Sequence, residues 1–96
     1  MKPSDALKTH RAELRAIVTR HGAARPRVFG SVIHGDDTDD SDLDLLVDAT
    51  PRTTLLSLAA IQLEAQRLLG VAVDVRTPED ISRRFRDDVL KEAVAV

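Results

Sequence analysis

The run Asp42-Leu43-Asp44-Leu45-Leu46-Val47 constrains this chain more than any other stretch of it. Its alternation predicts a β-strand, because successive side chains on a strand point to opposite faces. Leu43, Leu45 and Val47 then face a core, and Asp42 and Asp44 share the other face. Pro51 ends the strand. The surroundings are strongly acidic. Seven aspartates fall between positions 36 and 48: Asp36, Asp37, Asp39, Asp40, Asp42, Asp44 and Asp48. No Lys or Arg lies between Val28 and Pro51, and elsewhere fourteen cations face nine acids. The formal net charge of −2 therefore conceals one concentrated negative site on a basic background.

A chain of 96 residues has room for a single small domain, residues 1–96, and for a limited core. No segment approaches the roughly 20 apolar residues of a membrane span. The start, Met1-Lys2-Pro3-Ser4-Asp5, has no apolar run behind its lysine, so it is not a signal peptide. The absence of cysteine excludes disulfides, thiol catalysis and Cys-ligated zinc, and fits a cytoplasmic protein. With no Trp, no Tyr and two Phe, base stacking has little to work with, so stable nucleic-acid binding is not expected.

The remaining elements read as follows. Ser4-Asp5 caps a helix running to about Arg20, with Leu7, Leu14, Ile17 and Val18 at helical spacing and Gly22 closing it. Ala23–Pro26 is a connector, Arg27–Phe29 a short strand turning at Gly30-Ser31, and Gly35–Ser41 a loop. Thr53 or Thr54 caps a second helix to Leu69, with Leu55, Leu58, Ala59, Ile61, Leu63, Ala65 and Leu68 as its apolar face. Val71–Val75 is a strand with Asp74 opposite Val73 and Val75. Thr77-Pro78-Glu79-Asp80 starts a helix that carries Ile81, Phe85 and Val89 on one face, and Lys91–Val96 is a tail. His10 and His21 read as exposed helix residues, and Arg83-Arg84-Phe85-Arg86 as a solvated face. This order predicts an α+β fold: a small mixed sheet with helices packed on one face.

Three features form a chemical constellation: Gly30-Ser31 after a strand, Asp42-x-Asp44, and Asp74 on a later strand. Two carboxylates on one strand face stand roughly 6.6–6.8 Å apart at Cα, so their oxygens can converge on a divalent ion. Mg²⁺ takes one or two carboxylates plus substrate phosphates, and a third carboxylate can complete a two-metal site. Glycine lets a phosphate approach the backbone, and a helix starting there would offer N–H groups and the Ser31 hydroxyl. Together these imply chemistry on a nucleoside triphosphate. Two competing motifs fail on the residues. Gly30-x₄-Gly35 is followed by Asp36 where a P-loop needs Lys. A calcium loop starting at Asp37 would have Asp42 in place of Gly and Asp48 in place of the bidentate Glu. The dispersed His10, His21 and His34 make no zinc set.

Phe29-Gly30-Ser31-Val32-Ile33-His34-Gly35 followed by Ser41-Asp42-Leu43-Asp44-Leu45-Leu46-Val47 resembles the Gly-Ser-x₁₀-Asp-x-Asp signature of the DNA polymerase β-like nucleotidyltransferases. More narrowly, the chain resembles the minimal nucleotidyltransferase (MNT) family from about Arg27 onward. The resemblance implies that Asp42 and Asp44 bind Mg²⁺, with two ions in the site. Asp74 would be the third carboxylate, and Gly30 and Ser31 would hold the β and γ phosphates of ATP. It also implies a partner, since many MNT proteins are antitoxins that transfer AMP to a HEPN-domain toxin. One departure stands out: where the family often has Arg, this chain has His34, which is neither permanently charged nor bidentate towards phosphate.

Three functions are then open. The first is a Mg²⁺-dependent adenylyltransferase acting on a HEPN toxin. The second is a catalytically weak MNT protein that neutralises the toxin by covering it. The third is a transferase acting on a small molecule of the aminoglycoside kind, for which these residues leave no acceptor domain. The chain holds no tyrosine, so a tyrosine acceptor must lie on another protein.

Overall fold

The computed structural model describes residues 1–96. Its elements are α1 (Pro3–Arg20), β1 (Ala24–Phe29), α2 (Ser31–His34), β2 (Leu43–Asp48), α3 (Leu55–Leu69), β3 (Val73–Arg76), a 3₁₀ turn (Pro78–Asp80), α4 (Arg83–Glu92) and β4 (Val94–Ala95). The sheet order is β3-β2-β1-β4. β1 runs antiparallel to β2 and β4, while β2 and β3 are parallel, as a crossover through α3 requires. The two long helices cover one face, which makes the expected mixed α+β sheet.

The alternation in β2 is realised. Leu43, Leu45 and Val47 are fully buried in a cluster with Leu14, Val18, Val28, Ile61 and Val73, while Asp44 and Asp48 stand on the other face, half-buried. Leu46 shares that second face and is still fully buried, because the 3₁₀ turn after β3 packs across β2. In α3 only Ile61, Ala65 and Leu69 are buried; Leu55, Leu56 and Leu63 are exposed, so the apolar face is narrower than its composition suggests. Thr54 caps this helix through a reciprocal pair with Ser57, and Gly70 ends it in the left-handed conformation.

Several sequence expectations are corrected. The first helix begins at Pro3, and its free N–H at Ser4 donates to Asp37 Oδ2 at 2.9 Å, so a loop residue caps it from outside. Asp37 is accordingly buried. Residues 24–26 belong to β1, which carries a bulge between Ala24 and Arg27, with Arg25 at a φ of 51°. The helix expected to run on from Thr77 is broken: Asp80 folds back onto Thr77, and Ser82 starts α4 by accepting from the Arg84 N–H. Ile81 is buried while Phe85 is exposed, so the two do not share a face. The tail instead becomes β4, an edge strand on β1. His21 is half-buried, and with Arg20 it meets Glu64 on α3, tying the two long helices together.

Candidate active site

The pairing register sets Asp74 beside Asp44, next to the end of β1. Asp44 lies opposite Phe29 on β1 and beside Asp74 on β3, so two carboxylates occupy one level of adjacent strands. Asp42, just ahead of β2, is exposed and close enough for its charge to act on Asp44. Gly30 closes the other side. A Cβ on Gly30 would stand 2.3 Å from Asp44 Oδ2, and its φ of 77° belongs to glycine, so this position admits no side chain. Ser31 follows as the first residue of α2. The N–H groups of Ser31 and Val32 have no acceptor in the chain, whereas those of Ile33 and His34 both bond the Gly30 carbonyl. Two free N–H groups and a hydroxyl therefore cluster next to the carboxylates.

The electrostatics follow from this crowding. Burial pushes the Asp44 carboxyl above its ordinary range, with Asp74 and Asp42 adding repulsion and Arg76 opposing it. Arg76 Nε donates to Asp74 Oδ2 at 2.9 Å, and this pairing holds the guanidinium pKa above its usual value. Arg76 was missed as a site residue, although its i+2 position on a strand places it on the face of Asp74. His34, at the position where the family often has Arg, has its Nε2 3.2 Å from Glu92 Oε2 on α4.

The donor set suits a hard cation, since it offers carboxylate oxygens whose mutual repulsion a divalent charge would relieve. Asp42 and Asp44 can serve as the first pair. No three such side chains stand gathered around one point, and Asp74 Oδ2 is paired with Arg76 Nε.

The family profile for the nucleotidyltransferase domain matches residues 7–96. The chain belongs to this family and is a nucleotidyltransferase. Its relatives place it among the minimal nucleotidyltransferases. A Methanocaldococcus jannaschii protein assigned as a protein adenylyltransferase is 36% identical over 80 residues, spanning 83% of this chain and 86% of that one. The protein adenylyltransferase MntA of Thermococcus cleftensis is 34% identical over 90 residues, spanning 94% and 88% of the two chains. A solved structure described as a minimal nucleotidyltransferase matches with a TM-score of 0.87 at 42% identity, over 97% of this chain and 95% of that one. A toxin–antitoxin crystal structure with AMP-PNP matches with a TM-score of 0.69 at 17% identity, over 83% and 66% of the chains, and shares the fold.

Proposed function

We propose that the protein is a Mg²⁺-dependent adenylyltransferase that moves AMP from ATP to a partner protein, acting as the antitoxin to a HEPN-domain toxin. The observation that carries this reading is the level placement of Asp44 and Asp74, with Gly30 pressed against Asp44 and the free N–H groups of Ser31 and Val32 beside it. Relatives named as protein adenylyltransferases support a protein acceptor. The toxin–antitoxin neighbour with AMP-PNP supports an adenine nucleotide and a toxin partner. The HEPN class rests on the motif resemblance.

In this reading Asp42 and Asp44 hold the metal, with Asp74 as the third ligand. Divalent ions bound there would polarise the α-phosphate and lower the pKa of the acceptor hydroxyl. The Ser31 and Val32 N–H groups and the Ser31 hydroxyl hold the β and γ phosphates at the start of α2. As the acceptor oxygen bonds to the α-phosphorus, the bond to the β-phosphate bridge breaks and pyrophosphate leaves. The hydroxyl proton passes to a carboxylate oxygen of Asp74 once Arg76 has released it. Most of the rate then comes from positioning and charge neutralisation.

The test is label transfer from ATP to the candidate toxin in the presence of Mg²⁺. Wild type should label the toxin, and the Asp42→Ala, Asp44→Ala double variant should lose on the order of a hundredfold or more. Undiminished labelling by that variant contradicts the site. A second reading, neutralisation by covering the toxin, is favoured by the engagement of His34 with Glu92 and of Asp74 with Arg76. A double variant that labels nothing yet still suppresses toxicity would establish it.

A further inference from the structure

We infer that the cleft between α1, the start of β1 and the α4–β4 turn docks an acidic, partly apolar segment of the partner protein. This inference rests on the reading of the chain as a protein adenylyltransferase. The cleft has a volume of about 510 Å³, with Arg15, Arg25 and Arg27 on its walls and Pro26, Leu90 and Val96 among its apolar lining. It lies apart from the carboxylate site.

Its charge is unbalanced. Arg25 and Arg27 share one carboxylate: Arg25 Nε is 3.2 Å from Asp48 Oδ2, and Arg27 Nη2 is 2.5 Å from Asp48 Oδ1. Arg15 Nη1 donates to the Val96 main-chain oxygen at 3.1 Å, and Arg11 Nη1 one turn earlier donates to that of Ala95 at 3.3 Å. Asp48 is the one carboxylate paired with the three lining arginines, Arg15, Arg25 and Arg27. Arg27 is well buried, but the Arg25 side chain is 74% exposed and available to a second carboxylate.

The backbone adds an independent observation. Arg25 is the only residue other than glycine with a positive φ, 51°, and it sits at the β1 bulge. L residues adopt that conformation at a cost, and such outliers concentrate where a side chain must be aimed. Here the bulged segment sets two arginines of the cleft wall on Asp48.

The chemistry selects the occupant. A guanidinium fork matches a carboxylate, and the apolar lining takes an aliphatic neighbour. No aromatic side chain lines the cleft for base stacking, which disfavours a nucleic acid. The location suits an acceptor. β1 leads from Arg25 to Phe29, beside Gly30, and four residues of strand span about 13 Å. An extended partner segment covers that distance with about four residues, so docking here would bring a nearby acceptor side chain to the nucleotide end.

The test is fluorescence polarisation with a labelled synthetic peptide of alternating glutamate and leucine, in the absence of nucleotide. Wild type should bind it, and the counterpart with glutamine for glutamate should bind at least about tenfold more weakly. The Arg15→Gln, Arg25→Gln double variant should lose at least about tenfold while keeping its affinity for a fluorescent ATP analogue. Equal binding by the glutamine peptide or by the double variant overturns the inference, as does displacement of the peptide by inorganic phosphate or a short RNA at equal concentration. Hydrogen exchange on the wild-type protein gives a check that needs no variant: the peptide should protect residues 90–96, and protection confined elsewhere overturns the docking site. Failure of label transfer with peptide binding intact would count against the adenylyltransferase reading alone.

Discussion

Gly30 and Asp44 are coupled through contact. At φ 77° and ψ −144° the Gly30 backbone lies where other residues are strained, and a methyl group there would meet the Asp44 carboxylate. Gly30→Ala is expected to cost about 1–3 kcal/mol and to displace Asp44, so that label transfer falls further than the loss of folded protein explains. Measuring both on one sample checks this; full activity in the folded fraction contradicts it. Asp44 carries its own penalty. Its carboxyl is held above the ordinary range by burial and by Asp74, so ionisation costs folding stability once the pH exceeds that range. Asp44→Asn should therefore raise Tm modestly at pH 7 while abolishing transfer, and the difference should shrink as the solution is acidified through the carboxylate range. Asp37 has the opposite sign. The Ser4 N–H holds its carboxyl below the ordinary range, so its stabilisation is complete above that range and is lost as pH falls through the depressed value. Asp37→Ala should cost about 0.5–2 kcal/mol at pH 7 by thermal melts, with a smaller cost at strongly acid pH.

At the scale of elements, local signals decide α3. Thr54 and Ser57 satisfy each other's N–H groups at its start, and Thr54→Ala should cost about 0.5–2 kcal/mol of stability by denaturant titration. The elements legible from the sequence were those whose signal is contained within them. The alternation of β2, the caps and glycine stop of α3, and the Gly-Ser turn before α2 are of this kind. What stayed hidden depends on partners elsewhere in the chain. β4 is two residues long and exists because β1 offers an open edge, so Lys91–Val96 carries no period of its own. The start of β1 hides behind Arg25-Pro26-Arg27, where the bulge and Asp48 override a composition that reads as a connector. The break at Ile81 has no Gly or Pro to announce it; Asp80 makes it by turning back to Thr77. In the site, the residue types and the alternation that sets Asp44 opposite the buried leucines were readable, but the Arg76 pairing and the contact of Gly30 with Asp44 required the strands in register.

For the molecule as a whole, the cluster of seven aspartates resolves into different duties. Asp42 and Asp44 are the proposed metal ligands, Asp37 caps α1, and Asp48 neutralises two arginines at the far end of the sheet face. Asp36, Asp39 and Asp40 remain exposed and give the approach to the site a negative field that favours cations. A nucleotidyltransferase passes on the α-phosphate with its nucleoside and not a terminal phosphate. The most direct measurement runs two parallel reactions with the partner protein and Mg²⁺, one with ATP labelled at the α-phosphate and one with ATP labelled at the γ-phosphate. The α label should stay on the partner, the γ label should leave with pyrophosphate, and Asp44→Asn should abolish the transfer. Partner labelled from the γ position, or α labelling that survives Asp44→Asn, would contradict nucleotidyl transfer at this site.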